Sequence, residues 1–186
     1  MVCLHKHLVS SENTYLQFRV PLSTRTKWYQ ELKSTIPIFP GTRRIIHHHI
    51  TVAFLESTPK SIDVPSIIDN ALSDSVASSV VFDTIGVFLN QSKTRYIVNL
   101  SASNVPDAFK STVNRIQSKL IDAGCTLGPF LFHVTLWEIP VQGADLAKLQ
   151  ERIKKIDLIP FKLKLSDVSY RYYKDNGPDI KNWKLL

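Results

Sequence analysis

Apolar and polar side chains alternate over residues 14–20, where Leu16, Phe18 and Val20 fall on one face and Tyr15, Gln17 and Arg19 on the other. That period of two predicts a half-buried strand, and Pro21, which has no N–H for a ladder, ends it. A helix is expected from Ser23 or Thr24, either of which can cap it, to about Lys33. Pro37, Pro40 and Gly41 then force a loop. A strong strand follows over 48–55, and 65–77 reads as a second helix. The β-branched and aromatic run 79–89 predicts a strand interrupted near Gly86.

The second half repeats this order. Residues 94–100 alternate as a strand with Tyr96, Val98 and Leu100 on one face. Asn104 or Asp107 caps a helix to about Ala123, with Ala108, Val113, Ile116 and Leu120 as core contacts and Gly124 as its stop. After a Gly128-Pro129 turn, a strand is expected over 130–139 and an amphipathic helix over 145–156. The alternating tail 161–173 reads as a strand, and a turn at Asn176-Gly177 leads to a short strand near Trp183. Strand, helix, loop and histidine-bearing strand thus occur twice. The pattern predicts one bilobal α+β domain over 1–186 with an internal repeat over roughly 14–77 and 94–156. Two antiparallel sheets should face a central cleft under a pseudo-two-fold axis, with helices outside.

The two histidine-bearing strands read His49-Ile50-Thr51-Val52 and His133-Val134-Thr135-Leu136. In a strand, residues i and i+2 share a face, so each presents an imidazole beside a hydroxyl while the apolar residues between them sink into the core. With six histidines in 186 residues, chance supplies roughly 0.4 His-x-Thr triplets, so two copies in matching strands are a signal. Paired imidazoles suit in-line displacement at phosphorus: a neutral one takes a proton from water or a hydroxyl, and a protonated one gives a proton to the leaving oxygen. Either histidine can take either role. The Thr51 and Thr135 hydroxyls can hold the non-bridging oxygens, so the chemistry calls for no metal and no cofactor.

Other residues on the expected cleft face are candidates for substrate contact. Trp137, two positions beyond Thr135, should offer an indole for base stacking. Arg43 and Arg44 sit in the loop entering the first motif strand, and the strands at 14–20 and 94–100 should contribute Tyr15, Gln17, Arg19, Arg95, Ile97 and Asn99. Of these, Arg44, Arg19 and Asn99 are the expected substrate-binding residues. Tyr172 and Tyr173 read as packing residues. His47 with His49, or His5 with His7, shares a face and offers a metal pair, and Gly41, His47 and His49 match the opening of a cupin motif. The glutamate that should complete that motif is absent, since Glu56 comes too late.

Composition narrows the setting. Apolar residues make up 44% and charged residues 21%, an ordinary globular mixture. No apolar run reaches the roughly 20 residues of a membrane helix. The first residues lack the apolar segment of a secretory signal, and Cys3 and Cys125 build neither a disulfide framework nor a zinc site. A reducing, cytoplasmic setting and a monomer are the expectation. The formal charge of +7 favours anionic partners: a nucleotide, a cyclic oligonucleotide or an RNA end.

On the segments HHHITVAFL and FLFHVTLWEI the chain resembles the two-histidine (2H) phosphoesterases, which include 2′-5′ RNA ligase-like proteins and cyclic nucleotide phosphodiesterases. The resemblance covers most of the chain. It implies that His49 and His133 are the acid/base pair, that Thr51 and Thr135 hold phosphate, and that a 2′,3′-cyclic phosphate, 2′-5′ linkage, ADP-ribose cyclic phosphate or cyclic oligonucleotide is cleaved without metal. Many members carry a basic residue soon after the second motif, where this chain has Glu138. A nucleotide-binding module that keeps the cleft without turnover, or a His-ligated metal enzyme, is the alternative reading.

Overall fold

The computed structural model describes residues 13–142, 144–173 and 178–186. Its elements are β1 (Thr14–Arg19), α1 (Lys27–Thr35), β2 (Arg43–Arg44), β3 (His49–Ser57), α2 (Val64–Leu72), β4 (Ser78–Phe82) and β5 (Thr84–Leu89). There follow β6 (Arg95–Ser101), α3 (Asp107–Asp122), β7 (Thr126–Leu127), β8 (Val134–Pro140), α4 (Leu146–Lys154), β9 (Phe161–Leu165), β10 (Asp167–Tyr172) and β11 (Asp179–Lys184). The order β-α-β-β-α-β-β runs twice, with β11 appended.

Among the described residues the strands form a five-stranded sheet, β11-β10-β1-β3-β7, a four-stranded sheet, β2-β8-β6-β5, and the pair β4-β9. The pairings within them are antiparallel. Apart from β11, the two larger sheets are the same arrangement seen twice. A motif strand, β3 or β8, lies beside the first strand of its own half, β1 or β6, and the outer strands come from the other half. Thus β2 and β5 complete the sheet of the second half, while β7 and β10 complete the sheet of the first. This is the α+β, bilobal, pseudo-two-fold architecture expected from the sequence.

The elements follow from side-chain pattern and local hydrogen bonding. In β1, Leu16, Phe18 and Val20 of the alternating stretch are buried as expected. The long helix α3 turns Phe109, Val113, Ile116 and Leu120 inward; Ala108, expected in the core, is exposed because Phe109 takes the inward position of the first turn. Phe109 meets Phe18 at 5.0 Å and Phe132 at 5.5 Å, which joins the helix to β1 and to the approach to β8. Gly124, at φ +90°, ends α3 in the left-handed region, and its N–H donates to Ile121 O at 2.8 Å. Asp63 and Asp145 cap α2 and α4 through the N–H groups of Ser66 and Lys148.

Two expected strands are each two. The run 79–89 parts at Asp83, not at Gly86, because the Asp83 carboxylate takes the Ser103 N–H at 2.8 Å together with the Ser103 and Thr84 hydroxyls. The tail 161–173 parts at Ser166. In both halves the first piece joins the β4-β9 pair and the second crosses to a large sheet. The second helix stops at Leu72, short of the expected 77. The expected Asn176-Gly177 turn lies outside the described residues.

Candidate functional site

The motif strands lose step with their neighbours at the same place. Thr51 pairs with Gln17 and Ala53 with Leu16, skipping Val52; Thr135 pairs with Asn99 and Trp137 with Val98, skipping Leu136. A bulge of this kind shifts the alternation by one residue. Val52 and Ala53 are therefore both buried, as are Leu136 and Trp137. The positions that return to the cleft are Phe54 and Glu138. Trp137, expected beside Thr135, is 4% exposed and packs against Tyr29 at 5.1 Å. The apolar run Val52-Ala53-Phe54-Leu55 and the apolar pair Leu136-Trp137 were the sequence signs of these bulges.

The cleft between the sheets has a volume of about 1020 Å³. Tyr15, His49, Thr51, Phe54, Arg171 and Tyr173 line it from the five-stranded side, and Arg43, Arg44, Arg95, Thr135 and Glu138 from the other. His133 sits immediately before β8 rather than within a strand starting at 130. It is not among the residues that line the cleft, though its charge bears on His49. Neither the Thr51 nor the Thr135 hydroxyl has a hydrogen-bond partner among the described residues, which leaves both open to a ligand.

Each imidazole is anchored by backbone. His49 Nδ1–H donates to His47 O at 2.9 Å, and His133 Nδ1–H donates to Leu131 O at 2.8 Å. A carbonyl can only accept, so Nδ1 carries the proton and Nε2 keeps its lone pair when the ring is neutral. His49 lies 5.7 Å from the Tyr15 ring, and Phe88 meets His133 edge-on at 5.1 Å. Burial pushes both imidazoles below the ordinary histidine range. For His49, repulsion by His133, Arg171 and His47 adds to that, against the His47 carbonyl bond, which favours the charged ring.

The remaining candidates divide. Arg43 and Arg44 lie in β2, where they pair with Glu138 and Trp137 instead of forming a loop, and both reach the cleft. Arg95 also reaches it, with Nη1 donating to Gly41 O at 2.9 Å. Arg19 pairs instead with Asp179 and, at 3.1 Å, with Asn182. With Gln17 it lines an adjoining hollow of about 670 Å³ that shares Ile46, His47 and Arg171 with the cleft. Asn99, the ladder partner of Thr135, is 5% exposed and lies opposite Gly86, where a Cβ would approach its amide to 3.5 Å. Ile97 is buried as well. Tyr173, expected to pack, stands in the cleft wall with Phe54 at 4.9 Å and Tyr15 at 6.3 Å.

Among the described residues no His, Cys, Asp or Glu joins His47 and His49 in a group of three able to hold a metal. His5, His7 and Cys3 lie outside them, and Cys125 is buried and unpaired. No described helix is long and apolar enough to cross a membrane.

No family model matches the chain, and no curated protein matches it. Solved structures do. E. coli LigT complexed with 3′-AMP superimposes with a TM-score of 0.66 at 15% identity, covering 94% of this chain and 98% of that one. Kluyveromyces marxianus Usb1 gives 0.62 at 10% identity, covering 94% and 98%. The MHV ns2 PDE domain gives 0.53 at 16% identity, covering 87% and 98%. The chain has the two-histidine phosphoesterase fold. Of the two His-x-Thr segments, His49, Thr51 and Thr135 line the cleft.

Proposed function

We propose that the chain is a metal-independent phosphodiesterase of the two-histidine kind, acting as one bilobal, monomeric domain in a cytoplasmic setting. Its substrate is a cyclic phosphodiester or a 2′-type linkage in a nucleotide, an oligonucleotide or an RNA end. The observation that carries this reading is the matched anchoring of His49 and His133, which leaves each Nε2 free of a backbone partner, together with a cleft lined by His49 and by the unengaged Thr51 and Thr135 hydroxyls. One neutral imidazole takes a proton from the attacking water at Nε2. The new P–O bond forms as the ester P–O bond breaks, and the other, protonated imidazole gives its Nε2 proton to the leaving oxygen. The Thr51 and Thr135 hydroxyls donate to the non-bridging oxygens, and Arg43, Arg44 and Arg95 make the cleft attractive to an anion. Asn99, buried as the ladder partner of Thr135, donates to the Ile97 carbonyl at 3.4 Å and has little surface to offer substrate, and Arg19 serves the adjoining hollow. Nucleotide recognition is supported by the LigT structures, which hold 3′-AMP, NADP+ and ATP.

The test is a panel of 2′,3′-cyclic mononucleotides, 2′-5′ dinucleotides, ADP-ribose cyclic phosphate and cyclic oligonucleotides assayed with chelator present. At least one should be hydrolysed. His49→Ala and His133→Ala should each lower turnover by about 10²–10⁴-fold while remaining folded. If both variants turn over that substrate like wild type, the assigned roles are wrong. Binding without product across the panel would leave only a nucleotide-binding module.

A further inference from the structure

Glu138 is a carboxylate in the wall of a cleft whose other charged side chains are arginines. Its side chain is 28% exposed, and its nearest cation, Arg95 Nε, stands 3.8 Å away, beyond hydrogen-bond range. Its ladder partner Arg43 lies on the same wall. Neither carboxylate oxygen accepts a hydrogen bond among the described residues. A carboxylate at this place weakens the attraction of the cleft for phosphate, and its lone pairs remain available to a donor.

The pseudo-two-fold axis relates Glu138 to Phe54, since each is the first cleft-facing residue beyond the bulge of its motif strand. Phe54, Tyr173 and Tyr15 gather into an aromatic wall on that side. From Thr135 to Glu138 is roughly 7–10 Å along the strand, far enough to separate a phosphate from the edge of its base. Phe54 and Tyr173 stand edge to face at 84°, so a flat base lies against one of the two rings, in the cleft that Glu138 also lines.

We propose that Glu138 determines base specificity by accepting an N–H from the exocyclic amino group of an adenine or cytosine stacked on this aromatic wall. The inference rests on reading the cleft as a nucleotide site, but it does not require turnover. Carboxylates accept such amino groups in base recognition, and a well-placed contact separates right from wrong bases by roughly ten- to a hundredfold.

The test is titration calorimetry with two ligand pairs: adenosine 3′-phosphate against purine riboside 3′-phosphate, and cytidine 3′-phosphate against its 4-deamino analogue. In each pair one amino group is replaced by hydrogen while phosphate and sugar stay the same. Wild type should favour the amino ligand about tenfold or more in at least one pair. Glu138→Leu should bring that ratio to within about twofold, whereas Glu138→Gln, which keeps an acceptor oxygen, should preserve it. Neutralising the carboxylate strengthens phosphate binding for both members of a pair, so the ratio isolates base reading from charge. Equal affinities in wild type, a ratio unchanged in Glu138→Leu, or no binding of any of the four ligands overturns the proposal. Selective binding with no hydrolysis of the diester panel would remove the phosphodiesterase reading and leave this one standing.

Discussion

His49 and His133 are held by the same bond: each Nδ1–H reaches the carbonyl two residues upstream, at 2.9 Å and 2.8 Å. The two rings therefore share one tautomer and differ in their surroundings. His49 stands among Tyr15, His47 and the Arg171 charge. His133 has the edge of Phe88 against it. The paired cleft is symmetric in backbone and unequal in electrostatics.

That inequality bears on pH. Both imidazoles titrate below the ordinary value of 6.5, mainly through burial, and protonating one opposes protonating the other. The state with a single proton on the pair is thus populated on the acid side of 6.5 and empties as pH rises. For the proposed reaction, kcat/KM should fall as pH passes upward through that value, with apparent pKa values belonging to the pair. A pH–rate profile with its maximum well above neutrality would contradict this assignment.

Trp137 and Phe54 should separate stability from recognition. Trp137 fills the core against Tyr29, so Trp137→Ala should cost about 3–5 kcal/mol in denaturant unfolding. Phe54, half-buried at the cleft, should cost less in stability on truncation and lose about 1–3 kcal/mol of nucleotide binding. Unfolding curves and ligand titrations on both variants check this, and the reverse pattern would return the indole to the ligand.

His48 should make the fold acid-sensitive. It faces Tyr29 at 6.0 Å, and burial, aided by the charges of His49, Arg44 and His47, pushes it down to about 4. Between 6.5 and about 4 the unfolded chain binds a proton here that the folded chain refuses, so stability falls as pH falls across that window. His48→Gln should lose less stability over the same window when melting is followed against pH. Parallel losses in the two proteins would show that the proton goes elsewhere.

The motif pairs and the doubled order of elements were legible because both depend on local pattern: His-x-Thr on a strand, and apolar periodicity along strands and helices. The bulges after Thr51 and Thr135 were not, since period-two extrapolation assumes an unbroken ladder, and a shift of one residue exchanged Trp137 for Glu138. The strands β2 and β7 are two residues long, too short to carry a period, so Arg43 and Arg44 read as loop. The breaks at Asp83 and Ser166 depend on where each chain segment finds its sheet, which is a long-range matter. Arg171 and Phe54 enter the site only through strand pairing across the molecule.

Strand exchange gives the molecule a fixed aperture. β5 and β10 run as full-length ladders in the sheet of the opposite half, with the short β2 and β7 along the other edges. Prising the lobes apart would mean unzipping interchain-like seams within a single polypeptide, which no flexing linker can do cheaply. Fit to a guest is then tuned by exchanging rim side chains, in the manner of changing bits in a rigid chuck.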